Sequence, residues 1–418
     1  MITSYRRLLT QSGVPFLLVV GLIVKLSTPV LSLALLLAAV DRLGSYSAAG
    51  FVLTGHALAL ALCAPLGGRL ADRHGARPVL MAYLAAHAVA YGLLLSAHQA
   101  GPAAMVGAAV LLGATTPPVG AVIRGSWPRI VPPESLPAAY AVDNAVNEGV
   151  FILGPLLVPV LMPAMPADRV VAAAGACLLI GTLLMLASRG VRRAAPVTPA
   201  AKAGTRLNRL AGPLTHRPTL VLLVLAAFGT FSFGCLRIAT VAAATKFDSP
   251  SSAGVLMGLL SAGALVGALG YGSRAWPISG KRLLIVLSLA DGAGMLAGAF
   301  APEFLALAVL IAVIGLLTGP RDAVQPTLLA EHAPARYRTE VFAWLNTFMW
   351  TGYGLGTAIA GHLTGSDDGG SAAFVAASAV ALASAFVAAI AYRPTPPESM
   401  RSSARTDARR PDAARTES

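Results

Sequence analysis

Six ionisable side chains stand inside long apolar stretches of this sequence: Glu148, Asp143, His56, Asp291, Lys25 and Arg237. A charge at the centre of a bilayer costs about 2.5–3.5 kcal/mol on insertion scales, so each is a candidate for function. Glu148 lies about 11 residues into its stretch, roughly 16 Å along a helix. Asn144, Asn147 and Glu148 share one helical face through their i+3 and i+4 spacing. Such a polar stripe suits an interior surface, where a carboxyl group can take up and release a proton. Glu148 is therefore the first candidate for proton coupling, against a purely structural, hydrogen-bonded Glu. Lys25 lies at similar depth, four residues before Pro29. It can bind an anionic group, pair with Glu148, or serve only as a fixed ion pair between two helices. His56 can relay protons or be a satisfied core histidine. Arg237 can snorkel outward or attract an anion at a cavity mouth. Asp291, among Gly292, Gly294 and Gly298, suits either coupling or packing. Asp143 should pair with Arg124, Arg129 or the loop at 67–78.

These residues need elements that cross a membrane. The 418 residues are 56% hydrophobic and only 12% charged, against about 45–50% and about 25% in soluble domains. That excludes an ordinary soluble enzyme and a disordered chain. Twelve apolar runs fall near 14–40, 47–69, 78–97, 102–124, 137–162, 168–188, 219–243, 252–273, 281–300, 303–325, 338–363 and 372–392. Each is long enough to span about 30 Å of hydrocarbon as a helix. The first is too long for the core of a signal peptide and should remain as the first spanning helix. With a cytoplasmic N-terminus, only Arg42, Arg169 and Lys246 of the 31 Lys and Arg fall outside, and Lys25 and Arg237 fall within runs. The positive-inside rule predicts this asymmetry. The net charge of +13 thus reads as topology and not as a nucleic-acid footprint. Cys63, Cys177 and Cys235 sit in apolar runs, with neither disulfide nor metal spacing.

The halves look like copies. At an offset of 202, Gly68 aligns with Gly270, Pro132 with Pro334, Asn144 with Asn346 and Gly154 with Gly356. At 204, Ser47-Ala-Ala-Gly50 aligns with Ser251-Ser-Ala-Gly254. This predicts an all-α protein of two pseudo-symmetric six-helix bundles, 1–188 and 219–392. A basic cytoplasmic linker, 189–218, joins them, and a polar tail, 393–418, is expected to be disordered. Run eleven carries Trp344, Asn346, Phe348, Trp350 and Tyr353, with Trp350 at the position equivalent to Glu148. Asn346 and Trp350 join Lys25, Asn144, Asn147 and Arg237 as cavity candidates. Gly352, Gly356 and Ala360 form a small-residue stripe for close packing.

The loop between runs two and three reads Gly67-Gly68-Arg-Leu-Ala-Asp72-Arg73-His-Gly75-Ala-Arg77-Pro78. It resembles the signature loop of the major facilitator superfamily, matching at Gly68, Asp72, Arg73, Gly75 and Arg77 and departing at Pro78. The resemblance covers residues 10–392. It implies a cavity lined by helices 1, 4, 7 and 10, with 3, 6, 9 and 12 peripheral. It also implies that Asp72 faces the start of helix 11 and latches the outward-facing state. The corresponding loop of the second half, 270–282, has no acidic residue, which argues against a symmetric second latch. Gly149 and Gly154-Pro155 resemble part of an exporter motif, but Val158-Pro159 departs from its end. Arg124, read at the cytoplasmic end of its run, does not match the exporter arginine.

The expected function is secondary active transport by alternating access in the cytoplasmic membrane, with both termini cytoplasmic. The favoured mode is proton-coupled efflux of a small organic or drug-like molecule by a monomer, without cofactor or metal. Proton-linked uptake of an anionic nutrient or metabolite is the alternative. A non-transporting sensor or a membrane-embedded enzyme is a third. No nucleotide phosphate loop, His-Glu-x-x-His or Gly-x-Ser-x-Gly element is present.

Overall fold

The computed structural model describes residues 2–44, 46–97, 101–188, 212–246, 253–274, 276–364 and 369–392. A short helix, α1 (Ile2–Leu9), precedes the long ones. The first half holds α2 (Val14–Leu43), α3 (Tyr46–His74), α4 (Ala76–Ser96), α5 (Pro102–Ala114) continued by α6 (Val119–Ile130), α7 (Leu136–Leu161) and α8 (Ala167–Ala187). The second half holds α9 (Arg217–Lys246), α10 (Ala253–Gly272), α11 (Gly280–Gly298), α12 (Phe304–His332), α13 (Arg338–Leu363) and α14 (Gly369–Ala391). Among the described residues, nine stretches are long and apolar enough to cross a membrane, with α5 and α6 counted as one. Helices α7, α11 and α13, of 26, 19 and 26 residues, pack among them. At 1.5 Å per residue they reach roughly 28–39 Å. The described residues are thus all-helical, and the chain is a multi-pass membrane protein.

Two boundaries differ from the sequence expectation in ways that matter. The fourth run does not end at 124. It breaks at 115–118 and continues to Ile130, which puts Arg124 inside a span and not at its end. Pro117 and Pro118 lack N–H donors, so the α5 ladder cannot run through them. The hydroxyls of Thr115 and Thr116 donate to Leu111 O (2.8 Å) and Leu112 O (3.1 Å), satisfying carbonyls at the break. The tenth run does not end at 325 but continues to His332, which places Arg321 and Asp322 well inside the helix and not beside its end. Of the expected linker and tail, residues 189–211 and 393–418 lie outside the described residues, as do Ser251, Ser252 and the side chain of Lys246.

Three buried cores organise the bundles. One contains α2 residues from Val14 to Val24, Ile123, Tyr140, Leu223, Leu284, Val324 and Phe342, and so draws on both halves. The other two are private. Val30, Leu35, Ala109 and Val158 belong to the first half alone, and Cys235, Leu260, Ile311 and Ala377 to the second. The halves therefore fuse at one end and part at the other. The seam is made by α3 and α6 against α13, and by α10 and α12 against α7. The pseudo-symmetry is visible in side-chain bonds: Ser27 on α2 donates to Ala174 O and Ser232 on α9 to Ala377 O, both at 2.7 Å.

Candidate functional site

The ionisable residues singled out above gather at the level where the shared core gives way to the private ones. On α2, Lys25 lies between Val24 of the shared core and Val30 of the private core. On α7, Asn144, Asn147 and Glu148 lie between Ala141 and Val158. On α12, Asp322 lies between Ile314 and Val324, and on α13, Asn346 and Trp350 lie between Leu345 and Ala360. This is the floor of the space between the separated ends.

Glu148 is half-buried there and within electrostatic reach of Asp322, Arg237 and Lys25. Lys25 does not pair with Glu148. Its Nζ lies 2.8 Å from Asp143 Oδ1 and donates to Asp143 O at 2.8 Å. Arg124 Nε holds the other carboxylate oxygen, Oδ2, at 2.7 Å. Asp143 is thus clamped by two cations, and Lys25 fastens α2 to α7. Tyr140 donates to Arg124 O (3.0 Å). Asn144 is buried, and its Nδ2 has no hydrogen-bond partner among the described residues. Asn147 and Asn346 are half-buried.

In the second half Asp291 is fully buried, and Arg321 on α12 is bound to its Oδ2. Thr318 donates to Asp291 Oδ1 at 3.0 Å, and Arg321 Nε donates to Asp322 Oδ1 at 3.2 Å. Asp291 is peripheral by helix but joins the floor through Arg321 and Asp322. Sequence reading singled out neither, because a run closed at 325 leaves them only a few residues from its end. The apolar continuation Thr327-Leu-Leu-Ala330 was the available signal. Arg237 is exposed; its Nη1 donates to Tyr353 Oη (3.1 Å), and its guanidinium lies 5.9 Å from that ring. Trp350 meets Tyr353 edge-on at 5.9 Å. His56 sits away from this cluster, its Nδ1 3.4 Å from Ala109 O.

At the fused end, Asp72 accepts backbone N–H bonds from Thr339 (3.0 and 2.9 Å) and Glu340 (2.8 Å) at the start of α13. A carboxylate on a helix N-terminus is favourable by up to ~2 kcal/mol when partly buried. Gly68 and Gly125 make the approach possible. A Cβ on Gly68 would lie 2.8 Å from Glu340 Cα, and one on Gly125 3.2 Å from Arg338 O. Gly75, with φ +86°, turns the chain into α4. Arg73 and Arg77 are exposed. The arginine that crosses the seam is instead Arg69, which the sequence reading passed over. Its Nε donates to the buried Glu340 Oε1 at 2.9 Å. Gly212, at φ +54°, packs against the same carboxylate.

The sequence pattern of the Major Facilitator Superfamily matches residues 17–290 and 222–416. The multidrug efflux pump Tap of Mycolicibacterium fortuitum is 26% identical over 339 residues, 77% of this chain and 81% of Tap. The fold is similar to that of the human organic anion transporter MFSD10 (TETRAN), with a TM-score of 0.70 and 18% identity over 92% of this chain and 99% of that one. A bacterial homologue of the iron transporter ferroportin, in an outward-facing state, also superposes with a TM-score of 0.70, at 15% identity over 90% of this chain and 98% of that one. Helix architecture, half-repeat, signature loop and matched length agree, and this chain, a transporter and not an enzyme, belongs to the Major Facilitator Superfamily.

Proposed function

We propose that the protein exports small organic or drug-like molecules across the cytoplasmic membrane in exchange for protons, as a monomer with both termini cytoplasmic. The observation that carries this is Glu148 on the cavity floor, facing Asp322 of the other half with Trp350 and Tyr353 on the same floor helix, α13. Carboxylates beside aromatic faces suit organic cations and amphiphiles. A proton and a cationic solute would then compete for the same carboxyl groups, which is the requirement for exchange. The likeness to the multidrug pump Tap supports the direction. The alternative, uptake of an anionic metabolite, rests on Arg237, since Lys25 is already engaged by Asp143. In this reading Asp72 latches the seam, so the fused end is the cytoplasmic end and the cavity faces outward.

Everted membrane vesicles and ethidium as the probe cation test this. Acidifying the vesicle interior should drive ethidium uptake by the parent. Glu148→Gln should lower that uptake by about tenfold, within the usual range of coupling energies, while ethidium exchange without a gradient survives. Unchanged pH-driven uptake in Glu148→Gln would remove Glu148 from coupling. Accumulation of organic anions, abolished by Arg237→Gln, would favour the alternative.

A further inference from the structure

The seam has two crossing points, related by the half-repeat, and they are closed differently. At the first, Gly68 on α3 meets Glu340 and Ala343 on α13. At the second, Gly272 on α10 meets Ala138 and Ala141 on α7, where an added Cβ would lie 3.0 Å from Ala138 Cα and 2.5 Å from Ala141 Cβ. The structural partner of Gly68 is thus Gly272, 204 residues on, and not Gly270, beside which there is open space. By the same offset, Trp276 stands where the first loop has Asp72. No carboxylate reaches the start of α7 from this loop, and a cleft of about 440 Å³ remains, lined by Glu134, Ala138, Gly272, Arg274, Trp276 and Glu331 among others.

Helix α1 covers this second crossing. It packs on α2 and α7 of the first half, with Leu8 fully buried in the shared core. From there it reaches over to α10. Tyr5 Oη donates to Leu269 O at 2.5 Å, and Ser4 Oγ donates to Ser273 O at 2.9 Å. These carbonyls belong to the last turn of α10 and the residue after it, where helical partners run out. Ser4 and Arg7 also form one wall of the cleft. Burial pushes the Tyr5 phenol up to about 12, so the donor proton stays in place at physiological pH.

We propose that α1 is a strap that replaces the missing second latch, with Tyr5 a positioning residue that holds α10 against α7 and sets how often the seam opens. The two crossings then divide the work. A carboxylate on a helix start closes one, and two hydroxyls on a helix end close the other.

Spin labels across the seam, at Arg77→Cys and Arg336→Cys, test this in full-length protein lacking Cys63, Cys177 and Cys235 and reconstituted in lipid. Tyr5→Phe should raise the ratio of long to short distances by about fivefold, the scale of one hydrogen bond. Ser4→Ala should act in the same direction. Tyr5→Phe combined with Asp72→Asn should give the product of the separate shifts, because the crossings share no partner. If Tyr5→Phe lowers Tm but leaves the distances at parental values, Tyr5 is a packing residue and the proposal fails. If Tyr5→Phe does not fold, Ser4→Ala alone decides by the same distances. The readout needs no substrate, so its failure is separate from failure of the export reading.

Discussion

Each half holds a charged triad built on a buried aspartate, Asp143 or Asp291, and the two have opposite sign. Lys25, Arg124 and Asp143 sum to +1 in their ordinary charge states, and Asp291, Arg321 and Asp322 to −1. Removing one member of such a set leaves an uncompensated charge, which costs far more than the set contributes. Arg321→Met should therefore destabilise the protein by about 3–5 kcal/mol, read as a lowered Tm in detergent. Asp291→Asn should cost less, since Thr318 can still donate to the amide oxygen. A smaller loss for Arg321→Met than for Asp291→Asn would contradict the triad as described. The sequence showed that Asp143 needs a basic partner and that Arg124 was near enough. It did not show which carboxylate Lys25 would choose. Asp143 and Glu148 are five residues apart on one helix, about 140° apart around its axis and ~7.5 Å along it, and only the lean of α2 against α7 decides between them.

Among elements, glycines decide which helices touch backbone to backbone. On α13, added Cβ atoms at Gly352 and Gly356 would run into the main-chain oxygens of Ala227 and Phe231 on α9, whereas the position at Gly354 is open. Gly356→Val should cost about 1–3 kcal/mol through overpacking and lower the yield of folded protein. Gly354→Val on the same helix should be far milder. Equal effects in a thermal-shift comparison would mean that intrinsic helix propensity, and not the α9–α13 approach, explains the loss. This stripe was readable from small residues at four-residue spacing. The break at 115–118 was not read, although Pro117-Pro118 announces it, because a continuous apolar composition hides a change of backbone. The end of α12 was misplaced for the opposite reason: Arg321 and Asp322 look like a helix end unless Asp291 is known to lie beside them.

For the whole molecule, the balance between closed and open seams is a sum of small, separate contacts. Asp72→Asn keeps an acceptor for one N–H of α13 but loses the charge. It should move the seam toward opening by about tenfold, in line with a charge-assisted hydrogen bond of roughly 1.5–3 kcal/mol. The distance ratio between labels at 77 and 336 measures it, and a parental ratio would leave Asp72 a topological role only. Arg73, exposed at this end, should not shift that ratio when replaced by Gln. The sequence could align the two signature loops and see that one lacked an acid. It could not see that the N-terminal helix lies across the gap, because that contact joins residues more than 260 positions apart.

The turn at Gly212–Thr215, seated on the Glu340 carboxylate that Arg69 grips from the opposite bundle, has a mechanical consequence. Everything from Gly212 onward rides with the second bundle, while α8 ends at Ala187 in the first. The intervening residues, 189–211, can reach at most roughly 76 Å at ~3.3 Å per residue. That reach exceeds any swing of a few ångströms to either side. The travel of the bundles is set by the grip of side chains along their shared edge, and severing the peptide chain between them should leave that travel intact.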